Sequence, residues 1–384
     1  MPKTLGTSIK IGIPVSLTGQ FQVQGRQALT GLRAWVNDVN TGLGGVSVGP
    51  GKPRPVELVH YDDASSREGV RAATQRLIVE DRVELLAGPY SSVLTLAAME
   101  VAEPHGRLMW NQGGAFAGVY EQGYRCIVGV LTPATHYLDG LLEAVRLACP
   151  EANSLATVRA SQGAFPREVC FGVENQAMVL GFQTVNSLQF DTLSKDFSEV
   201  LAAVDDAKPD VVVAVGRIQN DLEFARQLAD SQVALGAVVV VAAGVQQFAE
   251  HLGRDTERFI GPSQWELEAG YVPEFGPTGA QVSESLRRAL GSAVDYPAAQ
   301  AYAAGVVLQR CLQEVDTQEV DDTALRRAAA SLNFSTFYGR FKIDPDTGQQ
   351  IGRSTLLVQW QGGRKVVIWP PALASATLRY PWRA

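Results

Sequence analysis

Two rhythms of apolar residues alternate along the chain. Short apolar runs such as IKIGIPVSL (9–17), VELVHYDD (56–63), ELLAGP (84–89) and LMWNQG (108–113) predict strands. Between them, apolar residues recur at helical spacing over 25–40, 66–81 and 91–105. The same alternation restarts after Tyr124. Strands are expected at 154–160, 183–190, 210–216 and 237–244, with helices near 133–148, 165–179, 196–207 and 219–231. The runs 211–215 and 237–243 are apolar throughout, as in strands covered on both faces. A strand–helix alternation of this kind predicts parallel sheets wrapped by helices. The restart predicts two Rossmann-like α/β lobes. Three helices near 278–291, 297–315 and 322–332 follow, and then the character changes. FYGRFKIDPDTGQQ and STLLVQWQGGRKVVIWPP read as strands with a D-P-D-T-G turn and a Q-G-G-R hairpin turn. The expected division is 1–127 plus 262–338 for lobe I and 128–261 plus 339–370 for lobe II, with 371–384 a surface strap.

Length and charge narrow the class. A chain of 384 residues is too long for one ordinary core. Its 46% hydrophobic and 19% charged content is that of a globular protein. The formal net charge is −7 and no Lys/Arg-rich run occurs, which argues against nucleic acid or an anionic membrane as partner. No apolar run approaches the ~20 residues of a membrane helix. The start, MPKTLGTSIKIG, has no apolar core of a signal peptide, and Met1–Ser8 reads as a polar tail. That start fits a cytoplasmic protein or an exported one written without its leader. Cys126, Cys149, Cys170 and Cys311 form no C-x-x-C pair, and all four are expected to be unpaired buried thiols.

The search for catalytic chemistry finds little. GVSVG (45–49) fits a nucleophile elbow around Ser47 on paper, but it sits in a Gly/Pro-rich loop before a strand, whereas the elbow must follow one. No phosphate loop, dinucleotide fingerprint or metalloprotease motif is present, and His60, His105, His136 and His251 have no ligand spacing. Neither a metal nor a cofactor is expected. Asp62-Asp63 reads as turn and cap chemistry. What recurs is a small or polar strand end before a helix: Ser16 to Gly19, Gly88 to Ser92, Asn111 to Ala115, Arg159 to Phe165, and Gly216-Arg217. Ligands of open α/β sheets bind beyond those carboxyl ends. The stretch GPYSSV (88–93) is open to two readings. Ser91 and Ser92 either cap the following helix, or they hold an anion at its N-terminus.

Several segments together resemble the branched-chain-amino-acid type of solute-binding protein of ABC transporters. They are IKIGIPVSLTGQFQVQGRQALTGLRAWVNDVN, YDDASS, LLAGPYSSVLTLAAMEVAE, LMWNQGGAFAGVYEQGY, YPAAQAYAAGVVLQRCLQ and YGRFKIDPDTGQQ. The likeness runs from about Ile9 to Pro371. It implies a type I periplasmic-binding fold, two lobes joined by three crossovers. The implied protein is a non-enzymatic monomer in the periplasm or outside the cell, free or lipid-anchored, that delivers one small ligand to a permease. A ligand sensor of the same fold is the alternative. The resemblance implies that Ser92, Ser91 and the Gly113–Gly114–Ala115 segment bracket a ligand carboxylate. Phe21, Gln24 and Tyr90 line the pocket from the same lobe, and Phe165 and Arg217 come from the other. Two departures matter. Ala115 stands where amino-acid binders carry a hydroxyl, and Ala243 stands near their ammonium-pairing acid. An organic acid is therefore expected, with an amino acid or amide as the alternative if Glu266 or Asp221 reaches in.

Overall fold

The computed structural model describes residues 7–291 and 294–383. Most of the polar tail expected at Met1–Ser8, like Ala384 of the strap, lies outside the described residues. The chain forms two compact units. Unit 1 takes the segment up to Pro133 and Gly270–Arg353; unit 2 takes Ala134–Ala269 and the chain from Ser354 onward. The chain thus passes between them three times.

Unit 1 opens with β1 (Ile9–Val15), α1 (Gln22–Leu43), β2 (Val56–Asp62), α2 (Arg67–Val79), β3 (Leu85–Ala87), α3 (Ser92–Ala102), β4 (Met109–Asn111) and β5 (Ile127–Gly129). These strands form one parallel sheet in the order β2-β1-β3-β4-β5. Unit 2 begins with α4 (Leu141–Ala148), β6 (Ser154–Ala160), α5 (Ala164–Leu180), β7 (Gln183–Phe190) and α6 (Ser198–Ala207). It continues through β8 (Val211–Val215), α7 (Ile218–Asp230), β9 (Ala237–Val240), α8 (Gln246–Leu252) and β10 (Ile260–Ser263). The chain then returns to unit 1 for α9 (Gly279–Leu290), α10 (Tyr296–Glu314), α11 (Asp322–Ser331) and the hairpin of β11 (Phe334–Thr336) with β12 (Gly339–Phe341). It ends in unit 2 with β13 (Leu356–Gln361) and β14 (Arg364–Trp369), which extend the sheet to β14-β13-β10-β9-β8-β6-β7. The pairings of β13 with β10 and with β14 are antiparallel, and the other pairings of this sheet are parallel.

The expected lobe boundaries need moving. A cut at 127/128 would split β5, whose Gly129 N–H donates to Gly348 O at 2.8 Å within unit 1. A cut at 261/262 would split β10, which pairs with β13 over its whole length. Residues 339–353 stay in unit 1 because β12 pairs with β11 and Ile343 bridges Gln350. The helix expected at 133–148 is a 3-10 turn, Ala134–His136, followed by α4, and the strand expected at 237–244 ends at Val240 and tightens into a 3-10 turn, Val241–Gly244. Cys170 and Cys311 are buried, but Cys126 and Cys149 are half-buried; all four are unpaired.

The strap runs along the surface, as expected, but it ends in a buried anchor. Trp382 is 7% exposed and belongs to the same apolar cluster as Phe248, Phe259 and Trp360. The Trp382 backbone N–H donates to Gly236 O (2.6 Å), and Arg383 and Leu235 exchange two backbone bonds of 3.1 Å.

The packing of α1 on α10 rests on missing side chains. A Cβ on Gly31 would lie 2.1 Å from Ala298 O, and one on Gly305 would lie 2.2 Å from the Trp35 ring. Gly31→Ala therefore forces two backbones apart and is expected to lower stability by about 1–3 kcal/mol. A urea midpoint identical to wild type would show that α1 can shift without cost.

Candidate functional site

In unit 1 the carboxyl ends of β2, β1, β3 and β4 lie side by side, so their outgoing loops are neighbours. The acids at the end of β2 organise the first loop. Asp62 accepts from the N–H groups of Leu17 (2.9 Å), Thr18 (3.3 Å) and Ala64 (2.9 Å) and from the Thr18 hydroxyl (2.8 Å). Partial burial opposes its charge, but these donors hold its carboxyl below the usual range. Asp63 accepts from the Ser16 hydroxyl (2.6 Å) and the Ser65 N–H (2.8 Å), and burial raises its pKa. The turn reading of this pair fits the geometry. The Ser65 hydroxyl donates to Thr18 O (2.6 Å) and accepts from the Phe21 N–H (3.1 Å), which fixes Phe21 at the head of α1. Gln24 is buried in the next turn.

Neither serine of the second loop caps α3 with its side chain. Ser91 is the N-cap residue, yet it makes no side-chain cap bond. It is held at φ 95°, a backbone region costly for a residue with a Cβ, and its N–H donates to Gly113 O (2.9 Å). Ser92 is the first residue of the helix. Its Oγ accepts from the Phe116 N–H at 3.0 Å, which leaves the hydroxyl hydrogen able to donate elsewhere. The first-turn N–H groups of α3 have no intrahelical acceptor, as at any helix start.

The third loop crosses the second at close range. A Cβ on Gly113 would fall 2.4 Å from Pro89 O and 2.6 Å from Tyr90 Cα, so only glycine allows the crossing. The expectation for Gly114 needs correction. Its N–H is spent on Asn111 Oδ1 (2.9 Å), and its carbonyl accepts from Asn111 Nδ2 (2.8 Å), so it offers no amide to a ligand. The Gly113 N–H makes no bond among the described residues. Ala115 is buried beside it. The Phe21 and Tyr90 rings stand 6.2 Å apart at 59°. Burial raises the Tyr90 phenol's pKa, and its hydroxyl bonds with Tyr296 at the start of α10. The strand ends of unit 1 thus gather a hydroxyl donor, an amide and an apolar aromatic wall. That set can hold a carboxylate carried on an apolar body.

Phe165 and Arg217 lie in unit 2, and the other eight expected site residues lie in unit 1. Phe165, in the first turn of α5, packs edge-on against Tyr137 (5.3 Å, 79°). Arg217 is exposed at the head of α7. The two acids considered as ammonium partners are both committed. Asp221 is 3% exposed and accepts from the Gly216 N–H (2.6 Å) and the Ala242 N–H (3.0 Å). Burial pushes its carboxyl up to about 7. Glu266 pairs with Lys365 at 2.7 Å, and Lys365 also donates to Gly244 O at 2.8 Å. The sequence reading missed Asn220, which accepts from the Arg217 N–H (3.2 Å) and donates to Thr192 O (3.1 Å) and Ser194 O (3.3 Å). The signal was present in GRIQND (216–221), which sets an amide and an acid one helical turn past a strand-ending glycine.

Among the described residues no group of three or more His, Cys, Asp or Glu side chains could hold a metal ion. No helix among them is long and apolar enough to cross a membrane.

The chain is 22% identical over 397 residues to Leu/Ile/Val-binding protein homolog 7 of Brucella abortus (strain 2308), covering 97% of this chain and 94% of that protein. Its fold is similar to that of an ABC transporter solute-binding protein from R. palustris in complex with benzoate. There the TM-score is 0.77 at 18% identity, over 96% of this chain and 98% of that one. It is similar also to the branched-chain amino acid transporter substrate-binding protein LivJ from Streptococcus pneumoniae in complex with isoleucine. The TM-score is again 0.77, at 16% identity, over 93% and 97% of the two chains. The sequence profile of the periplasmic binding proteins matches residues 8–365, nearly the whole chain, and the chain belongs to that family.

Proposed function

We propose that this protein is the solute-binding component of an ABC transporter, a non-enzymatic carrier that works outside the cytoplasm and hands one small carboxylate to a permease. The observation that carries the ligand class is the crossing of Gly113 over Pro89-Tyr90. It sets the Ser92 hydroxyl, the Gly113 N–H and the start of α3 beside the Phe21–Tyr90 pair. Ser92 and Gly113 hold the anionic end, and Phe21 and Tyr90 line the body. Gln24, Ser91 and Ala115 shape the pocket, and Phe165 and Arg217, at the carboxyl edge of the unit 2 sheet, are the ligand contacts proposed for that unit. A ligand ammonium would be buried without a counter-charge, since Asp221 and Glu266 are committed, and that costs several kcal/mol. The benzoate held by the R. palustris relative is a carboxylate with no ammonium. The isoleucine held by LivJ supports the amino-acid reading as runner-up.

Calorimetric titration with benzoate, benzamide and isoleucine tests this. Benzoate is expected to bind at least about tenfold more tightly than benzamide, the loss of one hydrogen bond to a charge. Equal affinities for the acid and its amide would overturn the anion site. Isoleucine binding more tightly than benzoate would favour the amino-acid reading.

A further inference from the structure

The first turn of α7 does more than begin a helix. Asp221 spans two strand ends, taking one N–H from Gly216 after β8 and one from Ala242 after β9. Asn220 reaches the other way, to the carbonyls of Thr192 and Ser194 after β7, and accepts the Arg217 N–H. Two adjacent side chains therefore tie together three loops at the carboxyl edge of the unit 2 sheet. Arg217 sits at the centre of this arrangement, and the 241–244 turn is one of the parts held. A Cβ on Gly216 would lie 2.7 Å from Asn220 Cβ and 3.2 Å from Asp221 Oδ1, so the fit has no slack.

We propose that Asn220 and Asp221 form a proton-sensitive clasp, which holds Arg217 and the 241–244 turn in place when Asp221 carries its charge and loosens when it is protonated. The surroundings of Asp221 carry both parts of this: one N–H donor on each carboxylate oxygen, and no ion pair among the described residues. A carboxylate accepts at both oxygens, whereas a carboxylic acid turns one of them into a donor. The neighbouring strands β7, β8 and β9 bring no ionisable side chain. Arg159 on β6, Arg167, Glu168, Cys170 and Glu174 on α5, Glu250 and His251 on α8, and Arg217, Glu223, Arg226 and Asp230 at or on α7 are the charged and titratable groups of the packed elements. None of them bonds to the Asp221 carboxyl. Burial without a counter-charge pushes that carboxyl up to about 7, so the change falls near neutral pH.

The signs of two effects follow. Folded protein holds the Asp221 proton more tightly than unfolded chain does, so this group's contribution to stability is greatest in acid and is lost as pH rises through about 7. Ligand affinity moves the opposite way, because the ordered edge needs the ionised clasp. Acidification through this window thus strengthens the fold and weakens binding, a combination that general unfolding does not produce.

The coupling to affinity rests on the proposed role of Arg217, so the test has a ligand-independent arm. In the ligand-free protein, the amide resonances of Gly216 and Ala242 are expected to titrate together near pH 7, along with one aspartate carboxyl in 13C-aspartate-labelled protein. In Asp221→Asn both amides are expected to stay flat. No aspartate titrating near neutral pH in wild type overturns the clasp, and that measurement needs no variant to fold. With benzoate as probe, Kd is expected to rise about tenfold between pH 8 and pH 5.5, the change produced by a one-unit pKa difference between free and bound protein. Asn220→Ala is expected to weaken benzoate binding while keeping the same pH profile. Titrating amides with a pH-independent benzoate affinity would overturn the coupling. Titrating amides with no benzoate binding would leave the clasp standing and remove the proposed ligand class.

Discussion

Replacing Trp382 with alanine is expected to lower the stability of unit 2 by about 3–5 kcal/mol, the usual cost of emptying a large aromatic site in a core. The residue lies two positions before Ala384, in a stretch where substitutions are ordinarily harmless. Here its ring packs edge-on against Phe259 (5.2 Å, 65°), within a cluster that continues through Phe248 to Trp360. Arg383 lays its guanidinium over the same indole (4.6 Å) and donates to the carbonyls of Ser231 and Ala229. Arg258 donates to Pro381 O, and Arg379 takes both a backbone bond to Gln359 Oε1 (2.8 Å) and an ion pair with Glu257 (3.0 Å). The strap thus closes one end of the unit 2 core. Chemical denaturation of the Trp382→Ala protein decides the matter, and a loss below about 1 kcal/mol would show that the buried indole does not anchor the strap.

Ser92→Ala is the second large effect. It is expected to weaken binding of a carboxylate ligand by roughly ten- to a hundredfold, the equivalent of about 1.5–3 kcal/mol for a hydrogen bond to a charge. The alternative, that Ser92 is only a helix cap, is excluded by the geometry, because its Oγ accepts from the Phe116 N–H in a separate loop. The same substitution strips that N–H of its acceptor, so a stability loss of about 1–3 kcal/mol is expected alongside. Ser92→Thr keeps the hydroxyl and separates the two effects. Titration of wild type, Ser92→Ala and Ser92→Thr with benzoate checks the prediction. An unchanged affinity in the alanine variant would remove Ser92 from the ligand.

What the sequence made legible follows from how local each signal is. The strands at 154–160 and 183–190 and the apolar run at 211–215 fall where expected, because a buried parallel strand is written in consecutive residues. The strand β5 was missed because it is three residues long and follows a loop with no period of its own. The helix α8 was missed because its seven residues lie just beyond the 241–244 turn, which reads as a continuing strand. The crossovers were misplaced because β12 finds its partner in β11, a pairing of neighbours that the change of character after 333 disguises. At the site, glycines and serines announced the crossing loops. The loss of the Gly114 amide to Asn111 was invisible, since any amide in such a loop looks free until its neighbours are placed. Asp221 read as a possible ligand partner because a polar residue past a strand end looks alike whether it faces a cavity or two backbone N–H groups.

The order in which the chain visits its two units has a consequence for its birth on the ribosome. The helix α10 (296–314) packs on α1 (22–43), and β13 with β14 (356–369) completes the sheet begun at 154. At a synthesis rate of about 5–20 residues per second, α1 waits on the order of ten to fifty seconds for its partner. Neither unit can bury its full core until the last few dozen residues emerge, so the nascent chain stays incompletely folded through most of translation. A chain wired in this way can complete neither core until its synthesis is nearly finished.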